Sequence, residues 1–81
     1  MEKIYETYIR TLPPYVPLLT SKLFKMFKIR DVNVRSDGKF DELTVTVETE
    51  LEYPQFLITI TRVVKSVMGR NYEIVVRCLR C

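Results

Sequence analysis

Ile4-Tyr5-Glu6-Thr7-Tyr8-Ile9 decides the fold, because it reads at two periods. As a helix, Ile4, Tyr5, Tyr8, Ile9 and Leu12 form one apolar stripe, with Glu2, Lys3, Glu6, Thr7, Arg10 and Thr11 opposite. As a strand, the same stretch is rich in β-branched and aromatic side chains, which suit a pleated, half-buried surface. The strand reading is preferred for residues 2–12. It gives the last strand of the chain a partner, and four strands covered by two helices are a common small architecture.

Downstream, residues 18–27 read as a helix, with Leu19, Leu23 and Met26 or Phe27 inward and Lys22, Lys25 and Lys28 outward. Pro13, Pro14 and Pro17 hold its approach extended. Residues 29–35 and 42–51 alternate around the turn-rich Ser36-Asp37-Gly38-Lys39, which predicts a hairpin. Pairing Val34 with Leu43 and Val32 with Val45 keeps the apolar faces together and sets Arg35 opposite Glu42. Next, Pro54 opens a second helix in which Phe56, Leu57, Ile60, Val63, Val64, Val67 and Met68 trace one face before Gly69 stops it. Seven residues between Phe56 and Met68 are β-branched, so local propensity argues for a strand, but the periodicity and the Pro/Gly punctuation outvote it. Residues 72–79 form a last strand, with Tyr72, Ile74, Val76 and Cys78 on one side. The expected class is α+β, a two-layer sandwich of ferredoxin-like βαββαβ order with a four-stranded antiparallel sheet. Were residues 2–12 helical, the order would be ααββαβ with a three-stranded sheet.

The 81 residues make a single domain, 1–81, that buries about 60–65% of its unfolded surface, so a second subunit covering apolar area would help stability. A hydrophobic fraction of 47% and a charged fraction of 28% describe a globular chain rather than a disordered one. Thirteen basic against 10 acidic residues leave a net charge of +3, which permits an anionic partner without announcing one. Low Asn and Gln content follows the drift of thermophile proteins. The start of the chain has no continuous apolar segment, and Thr59, Thr61 and Arg62 interrupt the most apolar stretch. That stretch is well short of the roughly 20 residues a span requires, so the expectation is a soluble cytoplasmic protein without a membrane partner.

Histidine is absent, and with it the usual general base and the commonest metal ligand. Neither a G-x-x-x-x-G-K-[ST] loop nor a G-x-G-x-x-G occurs, and both glycines, Gly38 and Gly69, have structural duties. No residue set assembles an acid–base or nucleophilic site, so a non-enzyme without cofactor or metal is expected. Cys78-Leu79-Arg80-Cys81 has C-x-x-C spacing, yet it closes a strand, where residues i and i+3 point to opposite faces. The expected state is Cys78 as a small core residue and Cys81 as a free thiol, with redox or metal chemistry a distant alternative. Glu48, Glu50 and Glu52, with Glu42, mark a solvated acidic sheet face that would repel phosphates, and the aromatics of an RNA-reading sheet are missing apart from Tyr8.

Two surfaces remain. Lys22, Lys25, Lys28 and Arg30 run along the first helix, and Arg62, Lys65 and Arg70 along the second, a basic layer able to hold a nucleic-acid backbone. Val75 and Leu79, with Ile4 or Tyr8 beside them, form an apolar strip on the open sheet, of the kind that attracts another copy of the same chain. The leading expectation is a non-catalytic protein–protein interaction module, homodimeric through the sheet. The alternative is a small nucleic-acid-binding protein that uses the basic helix face.

Overall fold

In the computed structural model, which describes residues 1–70 and 72–81, the ambiguous N-terminal segment is a strand, β1 (Lys3–Thr11). The helical alternative and its three-stranded sheet are thereby set aside. A single 3-10 turn (Pro13–Tyr15) leads into α1 (Val16–Met26), followed by β2 (Lys28–Ser36), β3 (Asp41–Thr49), α2 (Tyr53–Met68) and β4 (Glu73–Arg80). The order is βαββαβ. The strands lie as β2-β3-β1-β4, each antiparallel to its neighbour.

The hairpin pairs in the expected register, with Val34 opposite Leu43, Val32 opposite Val45 and Arg35 opposite Glu42. Asp37 ties its turn together: its carboxylate accepts from the backbone N–H of Phe40 at 2.8 Å and of Lys39 at 3.2 Å. Those two hydrogen bonds, helped by Arg10, hold the Asp37 carboxyl below its ordinary pKa. Gly38 takes φ 98°, a conformation that a Cβ would strain. Arg30 is an extra residue in β2, a bulge between the pairs Ile29–Val47 and Asp31–Thr46.

Helix α2 runs from an extended Glu52 to Gly69 at φ 71°. Its β-branched content does not prevent it, because Phe56, Ile60, Val63, Val64 and Met68 all reach the core. At roughly 1.5–3 kcal/mol for each large apolar side chain, that burial outweighs tenths of a kcal/mol per residue of propensity. Helix α1 begins two residues earlier than expected and takes Pro17 into its first turn. The N–H that proline lacks would be unpaired there anyway, so Pro17 starts the helix rather than keeping its approach extended. Leu19 and Leu23 are its buried residues; Phe27 packs against the core while Met26 stays exposed.

Both helices cover one face of the sheet. Tyr5, Thr7, Ile9 and Thr11 of β1 point into it, beside Leu43, Val45 and Val47 of β3. Phe56 is central: its ring stacks on Tyr5 at 4.4 Å between centroids and meets Phe27 edge-on at 5.4 Å. The Tyr5 hydroxyl donates to the Leu51 carbonyl at 2.8 Å, and burial raises its pKa above the ordinary value. Thr7 is fully buried, and its hydroxyl has no hydrogen-bond partner among the described residues.

Candidate functional site

The open face of the sheet is built from rows that run across all four strands. Arg35, Glu42, Arg10 and Glu73 form one row, in alternating sign. Asn33, Thr44, Tyr8 and Val75 form the next, then Asp31, Thr46, Glu6 and Arg77, then Lys28, Glu48, Ile4 and Arg80. Several of these charges are already engaged. Lys28 pairs with Glu48 at 3.3 Å, Arg77 with Glu6 at 2.7 Å and Arg10 with Asp37 at 3.3 Å. The Tyr8 hydroxyl also donates to Glu6 at 2.7 Å, an interaction that raises the Tyr8 pKa. The face is therefore a charge-balanced lattice rather than an acidic one. Glu48 serves Lys28, and Glu52, beyond the sheet, meets Lys3 at 3.3 Å. Among the described residues no cluster of three His, Cys, Asp or Glu is placed to hold a metal ion.

The basic residues separate into three places. Lys28 belongs to β2 on the open sheet face, and Arg30 is the β2 bulge, so neither lies on the first helix as its lysine spacing suggests. The helix ends at Met26, two residues short of Lys28. Arg70, beyond Gly69, lines a separate hollow of about 490 Å³ with Arg10, Phe40, Tyr72 and Glu73. There Arg10 stacks over Phe40 at 4.6 Å and is neutralised by Asp37.

Lys22, Lys25 and Arg62, in contrast, converge. Together with Met26, Thr59, Val63 and Ser66 they line a groove of about 460 Å³ between the helices. Lys22 spans the groove, donating to the Ser66 hydroxyl at 3.1 Å, and Ser66 in turn donates to the Val63 carbonyl at 2.7 Å. Lys65 lies one turn beyond Arg62 on the exposed side of α2. Neither helix contains an acidic residue. Leu18, Phe24 and Met26 on α1, and Ile58 on α2, are exposed large apolar residues of this layer. Reading only its lysines and arginines misses these residues. The signal available was that α1 and α2 carry more apolar residues than one inward stripe can use.

Of the apolar strip, Val75 is 61% exposed, Leu79 48% and Tyr8 38%, whereas Ile4 is only 8% exposed and drops out. The C-terminal pair departs from expectation. Cys78 and Cys81 are joined in a disulfide with Cα atoms 6.2 Å apart, so Cys81 is not a free thiol. Strand parity does not forbid the bond, because β4 pairs Cys78 with Tyr5 but Arg80 with Ile4, leaving Leu79 as a bulge. One extra residue shifts the alternation by one, and Cys81 returns to the side of Cys78.

No family model matches the chain, and no curated protein matches it. Among solved structures, the de novo designed protein Foldit4 is similar over 100% of this chain and 99% of its own, with a TM-score of 0.78 and 19% identity. The uncharacterized protein TM1266 from Thermotoga maritima is similar over 99% of this chain and 100% of its own, with a TM-score of 0.68 and 10% identity. At these identities the likeness concerns the α+β fold alone. Among the described residues, no helix is long and apolar enough to cross a membrane.

Proposed function

We propose that this chain is a non-catalytic protein–protein interaction module whose helix layer docks an acidic, amphipathic segment of a partner protein. One observation carries the reading: Lys22, Lys25, Arg62 and Lys65 share the layer with exposed Leu18, Phe24, Met26 and Ile58 and with no carboxylate. Those four cations exceed the net charge of +3, so the rest of the chain taken together is slightly acidic. Cations without a carboxylate partner among the described residues steer an anionic partner toward the groove, and the exposed apolar residues of the same helices supply contact area that salt cannot screen. The apolar floor at Val63 and Met26 suits a leucine or phenylalanine of the incoming segment.

A nucleic-acid backbone is the second reading, favoured by the same cations. It leaves the aliphatic residues without a role, since phosphates and sugars offer them nothing and Phe24 alone provides an aromatic platform on α1.

Fluorescence anisotropy separates the two. The probes are a labelled peptide of alternating leucine-rich and glutamate-rich turns, the same peptide with its leucines changed to serine, and single- and double-stranded oligonucleotides of similar charge. The expected result is binding of the first peptide, partly retained at high salt and lost in the Lys22→Glu/Lys25→Glu variant. Oligonucleotide binding that falls steeply with salt, without peptide binding, would replace this reading by the second. Absence of binding to every probe would leave the layer an ordinary solvated surface and end the proposal.

A further inference from the structure

We infer that two copies of this chain associate through the β4 edge, in the antiparallel register that places Val75 on the twofold axis. β4 terminates the sheet, so one side of its backbone has no strand neighbour among the described residues. From Glu73 to Cys78 it pairs regularly with β1, and the first irregularity is the bulge at Leu79. A regular, largely apolar edge is a template for another strand. The opposite edge is different: β2 is interrupted by its Arg30 bulge and carries Lys28, Asp31 and Arg35.

The register follows from symmetry and charge. A twofold axis normal to the sheet keeps each side chain on its own face, and directly opposed residues share a face. Only registers centred on a residue satisfy both conditions. Centring on Ile74 sets Glu73 against the partner's Val75, and centring on Val76 sets Arg77 against it. Centring on Arg77 places two arginines face to face, which is repulsive. Centring on Val75 sets Glu73 opposite the partner's Arg77 twice, Ile74 opposite the partner's Val76, and Val75 opposite itself. The sequence Glu73-Ile74-Val75-Val76-Arg77 is thus complementary to its own antiparallel copy. Val75, 61% exposed in the single chain, becomes covered at the centre of the contact. The product is a continuous sheet with both helix layers on the same side. What the helix layer binds has no bearing on this contact.

The test is solution mass by sedimentation equilibrium on three proteins: the natural chain, Glu73→Lys and Arg77→Glu. Each variant opposes like charges at both pairs when it meets itself. An equimolar mixture restores both pairs. The lysine introduced in one variant then faces the glutamate introduced in the other, and the unaltered Arg77 of the first faces the unaltered Glu73 of the second. The expected result is a dimer for the natural chain, unchanged by reductant. Each variant alone should dissociate with a constant raised about tenfold or more, and the mixture should recover a heterodimer. Circular dichroism confirms that each variant is folded, since Arg77 also meets Glu6. Val75→Lys, at an exposed position, gives a second route by bringing two lysines together on the axis. A monomeric natural chain, a dimer indifferent to all three substitutions, or folded variants that fail to reassociate on mixing would each overturn the inference.

Discussion

The two faces of this protein handle charge in opposite ways. On the open sheet, Lys28, Arg77 and Arg10 each have a carboxylate within reach, and the row Arg35, Glu42, Arg10 and Glu73 alternates in sign. On the helix layer, Lys22, Lys25, Arg62 and Lys65 meet no carboxylate among the described residues, and large apolar side chains stand exposed on the same two helices. A surface that satisfies its own charges gains little from a partner, whereas one that leaves them unpaired keeps its field available. Surface ion pairs contribute little to stability, so the difference bears on recognition more than on folding.

The most forceful way to break the comparison is to remove the side chain on which both layers rest. Phe56→Ala takes away the ring stacked on Tyr5 and should cost about 3–5 kcal/mol in urea unfolding, abolishing both surfaces together. A smaller change sharpens it from beneath the sheet. Thr7→Val replaces a buried hydroxyl without a partner by a methyl of similar shape, and should raise stability by about 1 kcal/mol in the same experiment. On the open face, Glu6→Gln removes the Arg77 ion pair and should change stability by less than about 1 kcal/mol. The Lys22→Glu/Lys25→Glu pair should likewise leave the melting curve almost unmoved while altering binding. Least of all is the acid response of the hairpin. Because the folded pKa of Asp37 lies below its ordinary 3.8, its contribution is fully present above that value. It is lost as pH falls through the lower folded pKa. The amide shifts of Lys39 and Phe40, followed by NMR, should report that titration below 3.8 rather than around it.

The hairpin was legible down to single pairs because Val32, Val34, Leu43 and Val45 alternate cleanly about a turn with its own chemistry. Helix α2 was legible because Phe56, Ile60, Val63 and Val64 keep their period despite being mostly β-branched. β1 resisted for a physical reason. It buries Thr7 and Thr11 and exposes Tyr8, so its inside and outside are not separated by polarity, and the apolar residues fall by coincidence into a helical stripe. The basic patch was half legible. Lys22, Lys25 and Arg62 share a groove, but Lys28 and Arg30 pass into β2 once α1 ends, which a spacing of three residues could not reveal. The disulfide was illegible, since a bulge is a matter of pairing and Leu79 carries no mark of it.

That same kind of irregularity, at the opposite margin of the sheet, bears on how large an assembly can become. A sheet with two receptive margins adds copies at both and grows into a filament. Arg30 inserts an extra residue into β2 and bends it out of step with any straight incoming strand. If β4 takes a second copy as inferred above, the blunted β2 margin stops growth after that first addition, giving a closed particle of defined stoichiometry rather than a fibre.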